Sequence, residues 1–405
     1  MRHFLFLLAI IAALVMAPVS PEAGNILFLI AGGLALFSLR KADFVTFGRP
    51  IVWMPLLGLG LLGLAFSAGA GTIRGLEGLL PFAPILAIWP LIMLPRDTRQ
   101  VDPEYIAMFS FIGTAGALAI ALNEYLTTGV ARAGASVANP IHFADVALLA
   151  GFLSLVGLIY VQSVWRYLFL SGPVLAALAA TLSGTRGAVV ALVLMAMIAV
   201  VLAGALRIIN LRIFIAAGVV TAIALLIGFA AGLGQTTGVQ RVMLDIADVL
   251  QTGLPTDAST AIRLSMYKGG VNAFMTSPIF GHGPFGFVDA AAAGMDAPLF
   301  VGAPHLHNDI LDFAASAGIL GLIAYGLFML APLVEVLRAP PSATRSGLLV
   351  VVSTLVVGHF VMGLTNAMFG ILTVTVYFAA VCVIVGVLAE LPRCSAKADT
   401  LAAHP

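Results

Sequence analysis

The chain has 405 residues, of which 61% are hydrophobic and 9% charged, with a formal net charge of +1 and a mean hydropathy of +1.12. Soluble domains carry roughly 25% charged residues, so this composition excludes a water-soluble globule and points to a polytopic membrane protein with a lipid-facing exterior. No basic patch is dense enough to suggest nucleic acid, and the two cysteines, Cys382 and Cys394, have no disulfide, zinc or thiol-nucleophile spacing.

The N-terminus, MRHFLFLLAIIAALVMAPVS, has the basic start, apolar stretch and small residues of a secretory signal. Further hydrophobic segments follow at once, so it reads as the first membrane helix, with cleavage as the alternative. A span needs about 20 apolar residues. Twelve segments qualify: 4–19, 25–39, 51–69, 77–94, 104–122, 143–162, 166–183, 187–206, 212–233, 308–335, 347–365 and 368–390. The expected fold is an all-α polytopic membrane protein of about 12 transmembrane helices with one long outward loop. Residues 1–233 hold spans one to nine, 234–307 the loop, 308–391 spans ten to twelve, and 392–405 a cytoplasmic tail. Within the loop, TAIRLSMYKGGVNAFMTSPIFGHGPFGF reads as an amphipathic helix followed by a Gly/Pro-rich turn region. Phe274, Ile279, Phe285 and Phe287 are placed to rest at the membrane interface.

The placement of Lys and Arg sets the orientation. With a cytoplasmic N-terminus, thirteen of the nineteen basic residues lie inside. Six lie outside: Arg74, Arg132, Arg186, Arg241, Arg263 and Lys268. Both termini are then cytoplasmic. The outward cations sit where topology disfavours them. Arg186, in LSGTRGAVVAL, has almost no loop around it and lies at the outer membrane surface. There it either snorkels from a helix end or offers its planar fork of donors to an anion such as a lipid-linked phosphate. Gly184 and Gly187 beside it permit close backbone approach. Arg263 and Lys268 are a second phosphate contact or a solvated helix face, and Arg132 reads as a surface charge.

The stretch GAPHLHNDILDFAASAGILGL, residues 302–322, puts two histidines, an asparagine and two aspartates directly before an apolar run. His305 and His307 are two apart, a spacing that gives no shared helical face and no zinc pattern. A neutral histidine at an apolar boundary either accepts a proton at neutral pH or satisfies a helix end. Asn308 and Asp309 suit helix N-capping. His359, Thr365 and Asn366, near the eleventh span, are where a transporter would carry a site; for His359 the simpler reading is a hydrogen-bonded bundle residue. The ionisable residues cluster at the outward rim and no internal repeat is evident, which sets transfer chemistry ahead of transport.

On these residues the sequence resembles the O-antigen ligase superfamily of bacterial membrane glycosyltransferases, which includes O-antigen and exopolysaccharide polymerases. HLHNDILDFAASAGILGL (305–322) is similar to the family's H-x-H-N-x-x-L signature with its later glycines. SGTRGA (183–188) resembles its arginine–glycine motif, RLSMYKGGVNAFMTSPIFGHG (263–283) its large-loop segment, and RAGASVANP (132–140) another stretch. The sequence departs from the family pattern at Tyr267, where tryptophan is frequent, and at Ser316, near a common acidic position. The resemblance implies a periplasmic site on the inner membrane and no cofactor. The partners implied are an undecaprenyl-diphosphate-linked glycan and an acceptor, either lipid A–core or a growing glycan. It also implies roles: Arg186 and Arg263 for the diphosphate, His307 as general base in an inverting, metal-independent transfer, and His305, Asn308, Arg132 and Lys268 as accessories. Asp309 and Asp312 are set to contact acceptor hydroxyls or, for Asp309, to cap the helix. A ligase and a polymerase share this chemistry.

Overall fold

A computed structural model describes residues 1–95, 101–130, 132–206, 244, 258–295 and 303–390. The expected ninth span, 212–233, the tail 392–405 and most of 234–257 lie outside the described residues. The fold is all-α and polytopic. Nine helical stretches are long and apolar enough to cross a membrane among the described residues. They are α1 (Arg2–Val19), α3 (Pro50–Gly69), α4 (Ile73–Ile92), α5 (Pro103–Thr128), α6 (Pro140–Tyr160), α7 (Val164–Leu182), α8 (Arg186–Ala205), α11 (Asp309–Arg338) and α12 (Ala343–Gly363). The helix α2 (Pro21–Leu36) qualifies when joined to the bent segment Lys41–Gly48, and α13 (Leu372–Leu388) is apolar but shorter. Each of these falls on an expected span.

Local chemistry sets the helix ends. Asn139 accepts from the amide of Ile141 at the start of α6, with Pro140 as its first residue. Asn308 accepts from the amide of Leu311 (3.1 Å) at the start of α11, as its residue type suggested. Asp309 does not cap. It is fully buried and accepts from the amides of Met368 (2.8 Å) and Phe369 (3.3 Å). A carboxylate sealed in the bundle has to be matched by donors, and the turn between α12 and α13 supplies them.

The described residues of the segment expected as the outward loop hold two helices, α9 (Ala258–Thr276) and α10 (Gly283–Ala292). The second falls where a turn region was expected; Pro284 starts it in the first turn, where a missing N–H costs nothing. α9 is not amphipathic in the expected sense. It buries small residues, including Ser265, Gly269, Gly270 and Ala273, while Leu264, Val271 and Met275 are exposed. Phe287 is buried and not interfacial, whereas Ile279 and Phe285 are exposed.

The α9–α10 turn docks on a break in α11. Gly318 has φ +62°, and a side chain there would meet the backbone of Ile279 at 2.4 Å. The amide of Ile319 donates to the carbonyl of Pro278 (2.8 Å), and that of His282 to the carbonyl of Ala315 (2.9 Å). Only glycine allows both the left-handed backbone and this approach.

The largest helix pairing is α3 with α11, antiparallel. Beside it an aromatic cluster centres on Phe369, whose ring lies 5.9 Å from Phe313, 5.4 Å from Phe328 and 4.9 Å from Phe378. His359 belongs to this cluster, 4.6 Å from Phe369, and its Nε2 has no hydrogen-bond partner among the described residues. It is a packed core residue; the hydrogen bonds expected of it are not seen at that nitrogen.

Candidate functional site

The site is assembled where the starts of α6, α8 and α11, the α12–α13 turn and the α9–α10 hairpin meet. His307 is its centre. It is the one non-glycine residue with positive φ (+57°) among the described residues, a conformation that a bulky side chain adopts only when its surroundings impose it. Three contacts impose it. The amide of His307 donates to Nδ1 of His305 (3.3 Å). Its carbonyl, with that of Leu364, accepts from the Tyr267 hydroxyl (3.1 and 3.0 Å). Its ring Nδ1 lies 3.2 Å from Oδ1 of Asn366.

Asn366 fixes more than position. It is buried, and its amide nitrogen lies 3.1 Å from Nδ1 of His142. An amide nitrogen only donates and an amide oxygen only accepts. In this arrangement His142 Nδ1 is the acceptor, and His307 Nδ1 must carry its hydrogen. The ring lone pair of neutral His307 is then on Nε2. The turn that holds Asn366 is tied down by Asp309, by Asn308 Nδ2 donating to the Leu364 carbonyl (3.1 Å), and by Tyr267.

Electrostatics keeps the histidines neutral. Burial, then the neighbouring Arg263, lowers the pKa of His307 below 6.5, with Asn366 opposing. Burial, with His307, His142 and Arg263 adding to it, pushes His305 down to about 3. Burial raises the Tyr267 phenol, so it stays a donor. The two histidine rings meet edge to face, centroids 4.4 Å apart.

Two cavities adjoin this centre. The smaller, about 60 Å³, is lined by Arg132, Arg186 and Arg263, with Thr185, Ser259 and Thr365 among its polar walls. Arg186 is the first residue of α8, where the helix dipole adds positive potential. Gly187 lets α8 close on Thr365, whose Oγ1 would lie 2.1 Å from an added side chain. Ser259, Arg263 and Tyr267 recur every fourth residue of α9, so one helical stripe serves both the pocket and His307. The larger cavity, about 560 Å³, has His305, Glu77, Asp289 and Asp312 on its wall among aromatic rings.

The sequence-based candidates therefore separate. Arg186, Arg263, His305, His307 and Asn308 converge, and Arg132, read as a surface charge, joins them. Lys268 is exposed on α9 and lines neither cavity.

A family model described as O-antigen ligase matches residues 172–326. Over this stretch the chain is similar to the O-antigen ligase superfamily. The match spans a little over a third of the chain and encloses Arg186, Arg263, His305, His307 and Asn308. No curated protein matches the chain. Around His307, the residues that the sequence reading did not assign are His142, Tyr267 and Asn366. All but Tyr267 lie outside the matched stretch. Asn366 stood out beforehand only with His359 and Thr365, where a transporter would carry a site, and nothing in the sequence tied it to a histidine 59 positions earlier.

Proposed function

We propose that the protein is an inner-membrane glycosyltransferase of the O-antigen ligase type. It would move a glycan from undecaprenyl diphosphate to an acceptor hydroxyl at the periplasmic face, with lipid A–core as the acceptor. The observation that carries this reading is the convergence of three arginines and a neutral, oriented histidine at one set of helix ends. A diphosphate is a dense anion that planar guanidinium groups bind by charge-assisted hydrogen bonds. An uncharged imidazole with its lone pair on Nε2 is a base for a hydroxyl at neutral pH.

The transfer balances on these residues. Nε2 of His307 takes the proton of the acceptor hydroxyl as its oxygen bonds to the anomeric carbon. The bond from that carbon to the phosphate oxygen breaks on the opposite side, with inversion, and its electron pair leaves on the diphosphate. Arg186 and Arg263 stabilise the charge that grows there, an electrostatic contribution that is largest in the transition state. Arg132 lines the same pocket. The products are the joined glycan, undecaprenyl diphosphate and one proton on His307. The diphosphate is a good leaving group, so the proposed route uses no metal. A polymerase, with a second lipid-linked glycan as acceptor, would use the same steps.

The test is transfer by the purified protein in detergent, with EDTA, from a defined undecaprenyl-diphosphate glycan. Lipid A–core, a second lipid-linked glycan and a peptide serve as acceptors. Product on lipid A–core is expected. Chain growth on the lipid-linked glycan instead would make the protein a polymerase, and binding of donor without product on any acceptor would sink the transferase reading.

A further inference from the structure

The mechanism above uses the arginine pocket and leaves the larger cavity without a role. That cavity is built differently. At about 560 Å³ it falls within the roughly 300–1,000 Å³ of small-molecule sites. Among the described residues its charged wall residues are Glu77, Asp289 and Asp312, with no arginine or lysine. Glu77 and Asp289 are exposed, as is Phe285. Deeper in, Asp312 accepts from the amide of Leu306 (2.7 Å) through Oδ1, while its Oδ2 is shielded and makes no hydrogen bond among the described residues. A shielded carboxylate oxygen without a donor is costly, and a ligand hydroxyl would satisfy it.

Electrostatics decides which substrate this suits. Carboxylates repel a diphosphate and accept hydrogen bonds from hydroxyl or amino groups. Aromatic faces, here Phe66, Phe82, Phe285 and Phe369 among others, cover the apolar faces of a flat ring. This pairing of donor-hungry carboxylates with aromatic surface suits a sugar that carries no anionic substituent. The cavity also reaches the reacting centre, because His305 is part of its wall and packs 4.4 Å from the ring of His307.

We infer that the 560 Å³ cavity lined by Glu77, Asp289, Asp312 and His305 is the acceptor site, and that it takes the terminal sugar of the acceptor in an uncharged or amino-bearing form, selecting against phosphorylated or acidic sugars. The inference rests on the transferase reading and makes it more specific. The diphosphate end of the donor stays in the arginine pocket, and the histidine pair divides the two.

Binding tests this without relying on transfer. An uncharged oligosaccharide ending in a hexose, and the same compound phosphorylated on that hexose, are titrated onto the full-length protein in nanodiscs. The wild type is expected to bind the uncharged compound at least tenfold more tightly. The Glu77→Lys/Asp289→Lys double variant should weaken the uncharged compound about tenfold and narrow or invert the preference. Both positions are exposed, so folding is not at stake. The inference is overturned if the wild type binds neither compound, if it does not discriminate between them, or if the double variant instead weakens binding of an undecaprenyl-diphosphate donor. A wild type that binds the uncharged sugar but transfers to no acceptor would count against the transferase reading and leave the cavity's ligand standing.

Discussion

Arginines at the two ends of the α3–α11 pair have opposite surroundings. At one end Arg49 is enclosed by protein: it donates to Glu335 (2.7 Å) and Glu390 (3.0 Å) and to the carbonyl of Gly386, with 11% of its side chain exposed. Nearby, Arg2 pairs with Asp43 at 3.1 Å. At the other end Arg132, Arg186 and Arg263 line a pocket whose remaining polar walls are hydroxyls. Charge satisfied by carboxylates of the same chain holds helices together. Charge gathered around a hollow faces whatever anion enters it.

Several variants would break or sharpen this contrast, beginning with the largest expected loss of transfer. His307→Ala should lower kcat by roughly 10²–10⁴-fold, the range of a general base, with donor binding intact in an equilibrium titration. Arg186→Ala and Arg263→Ala should each lower kcat/KM by about 10²–10³-fold, as for groups that stabilise developing negative charge. Unlike His307→Ala, they should also weaken donor binding. Retained transfer by either arginine variant would refute the contrast between the two ends.

Asn366→Ala should cost about tenfold in kcat, on the order of one lost buried hydrogen bond, and its pH profile is the sharper readout. The base works when neutral, so transfer falls as pH drops through the His307 pKa, below 6.5. The contact to Asn366 holds that pKa up. Its removal lowers the pKa further and moves the acid limb to lower pH. A merely structural defect would scale the profile without moving the limb. Smallest for transfer, Arg49→Ala should change the kcat of the folded enzyme less than about twofold. It should nevertheless lower stability by roughly 3–5 kcal/mol, since Glu335 is left buried without its partner; thermal unfolding in detergent measures this.

The sequence made much of this legible, for reasons that are themselves physical. Hydrophobic length located the spans, because a bilayer demands about 20 apolar residues whatever the fold. Arg186 stood out because a cation between two spans needs an explanation, and His307 because polar groups rarely precede a span. The partners of His307 were not legible. Asn366 and His142 reach it from helix ends distant in sequence, and periodicity carries no record of which ends meet. Arg132 was read as solvated because its own segment gives no hint that α8 and α9 bring Arg186 and Arg263 beside it. The docking of α9 and α10 depends on Gly318 breaking α11, which in sequence is one glycine among 42.

Asp309 has a consequence for how the protein comes into being. It stands at the start of α11, but the amides it binds belong to Met368 and Phe369, which the ribosome makes about sixty residues later. A nascent chain that has inserted only as far as α11 already holds Arg186, Arg263 and His307, yet has no Asn366 to orient the base and no turn for Asp309 to grip. On the proposed mechanism, competence for transfer therefore arrives with the last helical pair, and an incompletely inserted chain would be inert toward lipid-linked sugars in the same membrane.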